Sequence, residues 1–262
     1  MQAKNQISTV SIIGSGNVAT ALSIALADCG VKIVDIFSPN IANSKLLASK
    51  IGCNFVDDII KLNQNSDLYI IATPDKEIGN VILNLKEVTG VVVHTSGSEP
   101  ITHLKKYIVN CGVFYPLQTF TIGNNVNFEN IPICIEGSNE SVTNMLSQLA
   151  DKISNNVVVL NSEKRQYLHL TAVMVNNFTN HLYNIAHGVL LDNEIDFSLL
   201  HPLIKETASK INKVIPGDAQ TGPARRKDEV TIEKHLQLLN NYPEYKKIYS
   251  LLSNQIIKKY ND

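Results

Sequence analysis

The sequence predicts an α/β protein in which a doubly wound parallel sheet over residues 1–160 precedes an all-helical domain over residues 161–262. Three observations carry that prediction. Short apolar runs alternate with helical patterns through the first part. The first run enters the first helix through a glycine turn. After about residue 161 the apolar runs give way to helical periodicity alone.

The first run, Val10-Ser11-Ile12-Ile13, leads into Gly14-Ser15-Gly16-Asn17-Val18-Ala19. This is G-x-G-x-x-A between a strand and a helix, the fingerprint of a Rossmann dinucleotide turn. The first glycine permits the tight turn, the second lets a pyrophosphate approach the backbone, and the small third residue lets the helix pack on the strand. Val18, Leu22, Ala25 and Leu26 repeat at helical spacing, Gly30 stops the helix, and a second apolar run spans 31–37. Further strands read near 68–73, 90–95, 111–115, 131–136 and 156–160, with helices near 17–29, 40–51, 76–85, 99–107 and 139–152. That alternation predicts parallel strands joined by right-handed crossovers. Beyond residue 161, Leu168, Ala172, Val175, Phe178, Leu182, Ile185 and Val189 mark one long helix over 163–191. Helices near 197–212, 228–240 and 243–260 complete the second domain, with no internal repeat or low-complexity linker.

Composition excludes several function classes. A net charge of −1 without any basic tract leaves no footprint for nucleic acid. Cys29, Cys53, Cys111 and Cys134 are scattered, with no C-x-x-C pair, and read as small apolar fillers in a reducing compartment. With no signal peptide and no apolar run long enough to span a bilayer, the expectation is a cytoplasmic protein without a membrane partner.

Ligands of such sheets lie outside the carboxyl ends of the strands. Those ends carry Phe37-Ser38-Pro39-Asn40, Ala72-Thr73-Pro74-Asp75, His94-Thr95-Ser96-Gly97-Ser98 and Tyr115-Pro116-Leu117-Gln118-Thr119, a polar edge suited to a small polar molecule. Gly14, Ser15, Gly16, Asn17, Val18 and Ser38 are the expected cofactor residues, with a nicotinamide near Thr73, Pro74 and Ser96. An acid after the second strand bonds the ribose hydroxyls of NAD and repels the extra phosphate of NADP. None stands there: Asp35 lies inside the strand, while Ser38, Asn40, Ser44 and Lys45 offer donors to a phosphate. The expected cofactor is therefore NADP.

Two polar clusters interrupt the helical half. His169, Asn176 and Asn180 fall on one face of a regular helix, with Asn177 and His181 on the next. Asparagine is a mediocre helix former, so this density points either to a substrate cleft or to hydrogen bonding between helices. The two histidines stand too far apart along a helix for a metal. The second cluster, 218–228, follows Pro216-Gly217 and reads as a loop in which Arg225 or Arg226 grips a carboxylate, or as a solvated loop in which Asp228 caps the next helix.

The chain resembles a family of NADP-dependent oxidoreductases whose Rossmann domain is related to that of pyrroline-5-carboxylate reductase and whose helical domain has no assigned function. The resemblance rests on Gly14–Ala19, His94–Ser98, Tyr115–Phe120, Asn176–Leu182 and Gln220–Asp228, and implies a reductase-like protein that dimerises through its helices. A broader resemblance reaches β-hydroxyacid dehydrogenases and ketopantoate reductases. Their lysine, one turn before an asparagine, is replaced here by Ala172 and Val173, which leaves His169 or His94 as the acid. By analogy with ketopantoate reductases, the expected reaction is hydride transfer from NADPH to a small 2-keto acid, 2-dehydropantoate first among them. Asn176 and Asn180 would orient the carbonyl and an imidazolium would supply the proton. Imine reduction is the alternative within enzymes, and a nucleotide-binding sensor without turnover is the alternative outside them.

Overall fold

The structure is a computed structural model and describes residues 6–121 and 126–261. Its first part runs β1 (Thr9–Ile13), α1 (Asn17–Asp28), β2 (Lys32–Phe37), α2 (Ile41–Ile51), β3 (Asn54–Val56), β4 (Leu68–Ile71), α3 (Asp75–Asn84), β5 (Val91–His94), α4 (Thr102–Lys105), β6 (Cys111–Pro116), β7 (Ile133–Gly137), α5 (Glu140–Ala150) and β8 (Val157–Val159). These strands form one sheet in the order β3-β2-β1-β4-β5-β6-β7-β8. The chain winds outward in one direction from β1 and then in the other from β4. The switch point between β1 and β4 is where such sheets bind ligands.

The β1, β4 and β5 residues 10–13, 68–71 and 91–94 are all buried, as strands covered on both faces must be. Their side chains alternate between two cores. Val10 and Ile12 pack with Leu22, Leu26, Leu47 and Leu146 from α1, α2 and α5. Ile13, Tyr69 and Ile71 pack with Ile78, Ile82 and Leu104 from α3 and α4. Each fully buried Leu or Ile contributes about 1.5–3 kcal/mol.

Two features depart from the expected sheet. β7 pairs antiparallel to β6, and β8 follows β7 in parallel, so the last two strands run against the rest. A parallel return needs a crossover, usually helical, and the described residues between β6 and β7 hold no helix. The short edge strand β3 was not expected. Its three residues are too few for a period-2 pattern.

The second part runs α6 (Ser162–Ala172), a π-helical segment (Val173–Phe178), α7 (Thr179–Asp192), a 3₁₀ turn (Phe197–Leu200), α8 (His201–Lys210), the single turn α9 (Pro216–Ala219), a 3₁₀ turn (Ala224–Arg226), α10 (Glu229–Leu238) and α11 (Pro243–Asn261). The chain divides into compact units Met1–Val175 and Asn176–Asp262, so α6 belongs with the sheet rather than after a boundary at residue 160. The reason is a fully buried arginine on α6, Arg165, whose guanidinium bonds Glu136 of β7.

In the second unit, Tyr260 of α11 donates to Gly217 O at 2.7 Å, and His235 of α10 bonds Tyr249 of α11 at 2.7 Å. Among the described residues of this unit only Ala224 and Ser253 are buried. Among the described residues no helix is long and apolar enough to cross a membrane.

Candidate functional site

At the glycine turn, the two glycines do different work. Gly14 has φ +126°, and a Cβ on it would stand 2.2 Å from Ala72 O. Its N–H donates to Phe37 O at 2.7 Å, so this residue is locked where the ends of β1, β2 and β4 converge. A Cβ on Gly16, by contrast, would meet nothing within 4 Å. The space beside Gly16 is open to a ligand. Helix α1 begins there without a side-chain cap or an acid in its first turn. The N–H groups of Asn17, Val18 and Ala19, at its start, have no intrahelical acceptors and suit an anion.

Side chains of the turn brace it. Asn17 Nδ2 donates to Phe120 O at 2.7 Å, and Ser15 Oγ donates to Ser38 Oγ at 2.9 Å. Within β2, Asp35 is buried and accepts from Asn63 N at 2.8 Å, which removes it from any ribose. One expected phosphate donor is engaged elsewhere: Ser44 is buried and donates to Ile41 O at 3.0 Å. Asn40 caps α2 by accepting from Asn43 N through Oδ1, which leaves its Nδ2 donor for a ligand. Lys45, exposed over the Phe55 ring at 5.0 Å, is the cation available at this edge.

Beyond β4, Thr73 Oγ1 is buried with no hydrogen-bond partner. Such a group costs about 1–3 kcal/mol until something bonds it. Ser96 Oγ accepts from Ser98 N at 3.2 Å and Glu99 N at 3.0 Å, so its hydroxyl shapes the 96–99 turn rather than standing free for a nicotinamide. His94 cannot be the proton donor the sequence allowed. It is fully buried, and its Nδ1 accepts from Ser96 N at 3.2 Å. Burial, reinforced by the Arg165 charge, holds its pKa down to about 3, so the ring is neutral at physiological pH.

His169 is placed differently. Helix α6 lies along the 98–101 segment through side chains one turn apart: Ser162 Oγ accepts from Ile101 N at 3.0 Å, Arg165 NH2 donates to Glu99 O at 2.6 Å, and Gln166 Nε2 donates to Ser98 O at 2.7 Å. The next turn sets His169 over Gly97, with Nδ1 3.0 Å from Tyr115 Oη.

Residues 2–117 match the family of Rossmann-like domains, and residues 131–256 match a family described as a domain of unknown function, DUF2520. A solved structure from Bacteroides fragilis, described as a "putative NADP oxidoreductase", is 36% identical with a TM-score of 0.90, covering 98% of this chain and 100% of that one. The chain belongs to the oxidoreductase family that joins a Rossmann-like domain to DUF2520. A Thermotoga maritima protein shares the fold at 23% identity and a TM-score of 0.72, over 95% of this chain and 97% of that one. Pyrroline-5-carboxylate reductase of Aquifex aeolicus is 25% identical over 99 residues, 38% of this chain and 37% of that protein.

Within this family member, the polar clusters of the helical unit divide. Asn176, Asn177, Asn180 and His181 are exposed and make no side-chain hydrogen bonds among the described residues. The helix spacing that grouped His169 with Asn176 and Asn180 does not hold, because Val173–Phe178 is π-helical and adds residues to the turn. Arg225 stacks on the Tyr260 ring at 4.2 Å, half-buried, whereas Arg226 is exposed. Asp228 caps α10 by accepting from Thr231 N at 3.0 Å, as the alternative reading of that loop required. Sequence reasoning missed Arg165 and the pairing of Tyr115 with His169. Nothing local announces either, since each joins residues far apart in the chain.

Proposed function

We propose that the protein is an NADPH-dependent reductase of a small 2-keto acid, with 2-dehydropantoate as the leading candidate substrate. The observation that carries this reading is the unpartnered Thr73 hydroxyl on the same sheet edge as the open Gly16 turn. Together they fit a dinucleotide whose pyrophosphate lies at the start of α1 and whose nicotinamide end reaches Thr73 and Pro74. Asp35, the acid nearest the end of β2 in sequence, is buried and bonded, and Ser38 with Lys45 suits a 2′-phosphate. When bound, NADPH supplies the hydride.

The chain's own groups do the rest. The free N–H groups of α1 hold the phosphates. His169, as an imidazolium, gives its Nε2 proton to the substrate oxygen as negative charge develops there. Asn176 and Asn180 are the proposed hydrogen-bond donors to the substrate's carbonyl, and Arg226, with Arg225 behind it, the proposed holder of its carboxylate.

Imine reduction is the second reading. It is favoured by the match to pyrroline-5-carboxylate reductase and by the absence of the dehydrogenase lysine at Ala172 and Val173. We also infer a homodimer through the helices, since thirteen large apolar side chains of the helical unit, from Phe178 to Leu252, are exposed in one chain. We assign the cytoplasm, where the four free thiols of Cys29, Cys53, Cys111 and Cys134 stay reduced. The test is NADPH titration followed by absorbance assays with a panel of 2-keto acids and cyclic imines. Tight NADPH binding with no oxidation across the panel would replace the reductase by a nucleotide sensor.

A further inference from the structure

We propose that Tyr115 is a positioning residue that keeps a hydrogen on Nε2 of His169, the ring nitrogen not bonded to the phenol. This rests on the reductase reading for its purpose, and on unit 1–175 alone for its geometry.

Three contacts fix the pair. Tyr115 Oη and His169 Nδ1 are 3.0 Å apart, with the rings edge-on at 78° and their centroids 5.9 Å apart. Gly97 lies directly beneath. A Cβ there would stand 2.6 Å from His169 Nδ1 and 2.8 Å from Tyr115 Cζ, so only glycine lets both rings close over the strand-end turn. The backbone of His169 is held in turn by Ser162, Arg165 and Gln166 along the same segment.

The chemistry follows from which partner can give a proton. Burial pushes the Tyr115 phenol up to about 12, with Cys134 adding to the effect and Arg165 opposing it. The phenol therefore keeps its hydrogen at neutral pH, and in the proposed arrangement it donates that hydrogen to Nδ1 of a neutral imidazole, which places the ring hydrogen on Nε2. When the ring is an imidazolium, the same phenol oxygen accepts from Nδ1–H, and Nε2 again carries a hydrogen. A tyrosine hydroxyl serves both states because it can donate and accept. In the reduction, the Nε2–H bond breaks and an O–H bond forms on the substrate oxygen as the hydride reaches carbon. The ring loses its positive charge and is left for the moment with its hydrogen on Nδ1, facing the Tyr115 oxygen, until solvent reprotonates Nε2 and the Nε2–H form is restored.

Two variants and two readouts test this in the full-length protein. Two-bond ¹H–¹⁵N NMR reports the tautomer of His169 without substrate. The wild type should show Nε2–H when the ring is neutral, and Tyr115→Phe should lose that preference. Gly97→Ala, which pushes both rings aside while keeping the phenol, should do the same. An Nδ1–H tautomer in the wild type, or a tautomer unchanged in both variants, would overturn the proposal. In the second readout, Tyr115→Phe should lower kcat for NADPH oxidation with 2-dehydropantoate about tenfold, part of what a general acid contributes. KM and NADPH affinity should stay within about twofold. A fall in NADPH affinity as large as the fall in kcat would reduce Tyr115 to a folding role and sink the idea. If the wild type reduces nothing in the panel, the reductase reading fails, and the NMR result alone decides whether Tyr115 sets the tautomer.

Discussion

In residues 1–175, β1, β4 and β5 are buried on both faces, two apolar cores flank the sheet, and even an arginine is fully enclosed. In residues 176–262, Ala224 and Ser253 are the buried residues among those described, while Leu191, Leu199, Leu203, Leu238 and Leu251 are each more than half exposed. The sheet unit completes its burial within one chain. Among its described residues the helical unit has no cluster of buried hydrophobic side chains, and a single chain leaves many of its large apolar side chains exposed. The difference teaches that the first unit draws its stability from its own packing, whereas the second leaves its large apolar side chains for the proposed homodimer to cover.

The strongest way to break that comparison is to charge the helical surface. Leu203→Asp or Leu251→Asp should dissociate the proposed homodimer. Each buried leucine contributes about 1.5–3 kcal/mol. A two-fold interface uses it twice, so the loss should be about 3–6 kcal/mol, or about 10²- to 10⁴-fold in Kd. Analytical ultracentrifugation reads this directly. A wild type that is monomeric at every concentration would mean that the helical unit is stable with its apolar face bare.

The next test lies inside the sheet unit and separates fold from binding. Gly14→Ala should destabilise by about 3–4 kcal/mol, since it adds a carbon against Ala72 O at a positive φ. Gly16→Asp should keep the melting temperature and abolish NADPH binding, because its side chain enters open space with a negative charge at the proposed place of the phosphates. Equal melting temperatures for the two variants would show that the glycines are interchangeable.

Legibility in the sequence follows the same division of local from distant causes. The turn at Gly14–Ala19 was readable because φ, chain reversal and phosphate approach are decided by adjacent residues. So were the strand ends at Thr73 and His94. The fate of His94 was not, because burial by other elements and the Arg165 charge decide its protonation. Arg165 was invisible for a related reason: it bonds Glu136 and Glu99, neither of them a sequence neighbour. The π-helical segment left no mark, since its apolar residues suit an α-helix equally well, and it is what separates the predicted His169–Asn176–Asn180 face from the observed helix. The reversal at β7 was signalled in the sequence, where no helical pattern stands between the runs at 111–115 and 131–136, a signal that the expectation of a parallel sheet overrode.

A smaller effect sharpens the account of the buried edge. His94 takes up a proton in the unfolded chain near its ordinary value of 6.5 and in the folded chain only near 3. Between those values the unfolded state binds more protons, so stability falls as pH is lowered from 6.5 toward 3, by up to about 1.4 kcal/mol per pH unit from this group. NMR of the His94 ring should show no titration from neutral pH down to about pH 5. A midpoint close to the ordinary value would mean that water reaches the ring, and that the sheet unit is less closed than its packing implies.

The smallest expected effect is the most specific. Thr73→Val replaces a buried, unpartnered hydroxyl with a methyl group of nearly the same shape. Removing an unsatisfied polar group of this kind should stabilise the free protein by about 1 kcal/mol, a rise of about 2–4 °C in Tm. The same change deletes an unpartnered hydroxyl at the end of β4 that the proposed cofactor would bond, so NADPH affinity should fall by about two- to tenfold. Stability and affinity must therefore move in opposite directions, which no general loosening of the fold would produce. Calorimetry on wild type and variant measures both. A variant that loses stability while binding NADPH as tightly as before would give the hydroxyl a partner within the protein, and would remove the observation on which the cofactor's placement along this edge depends.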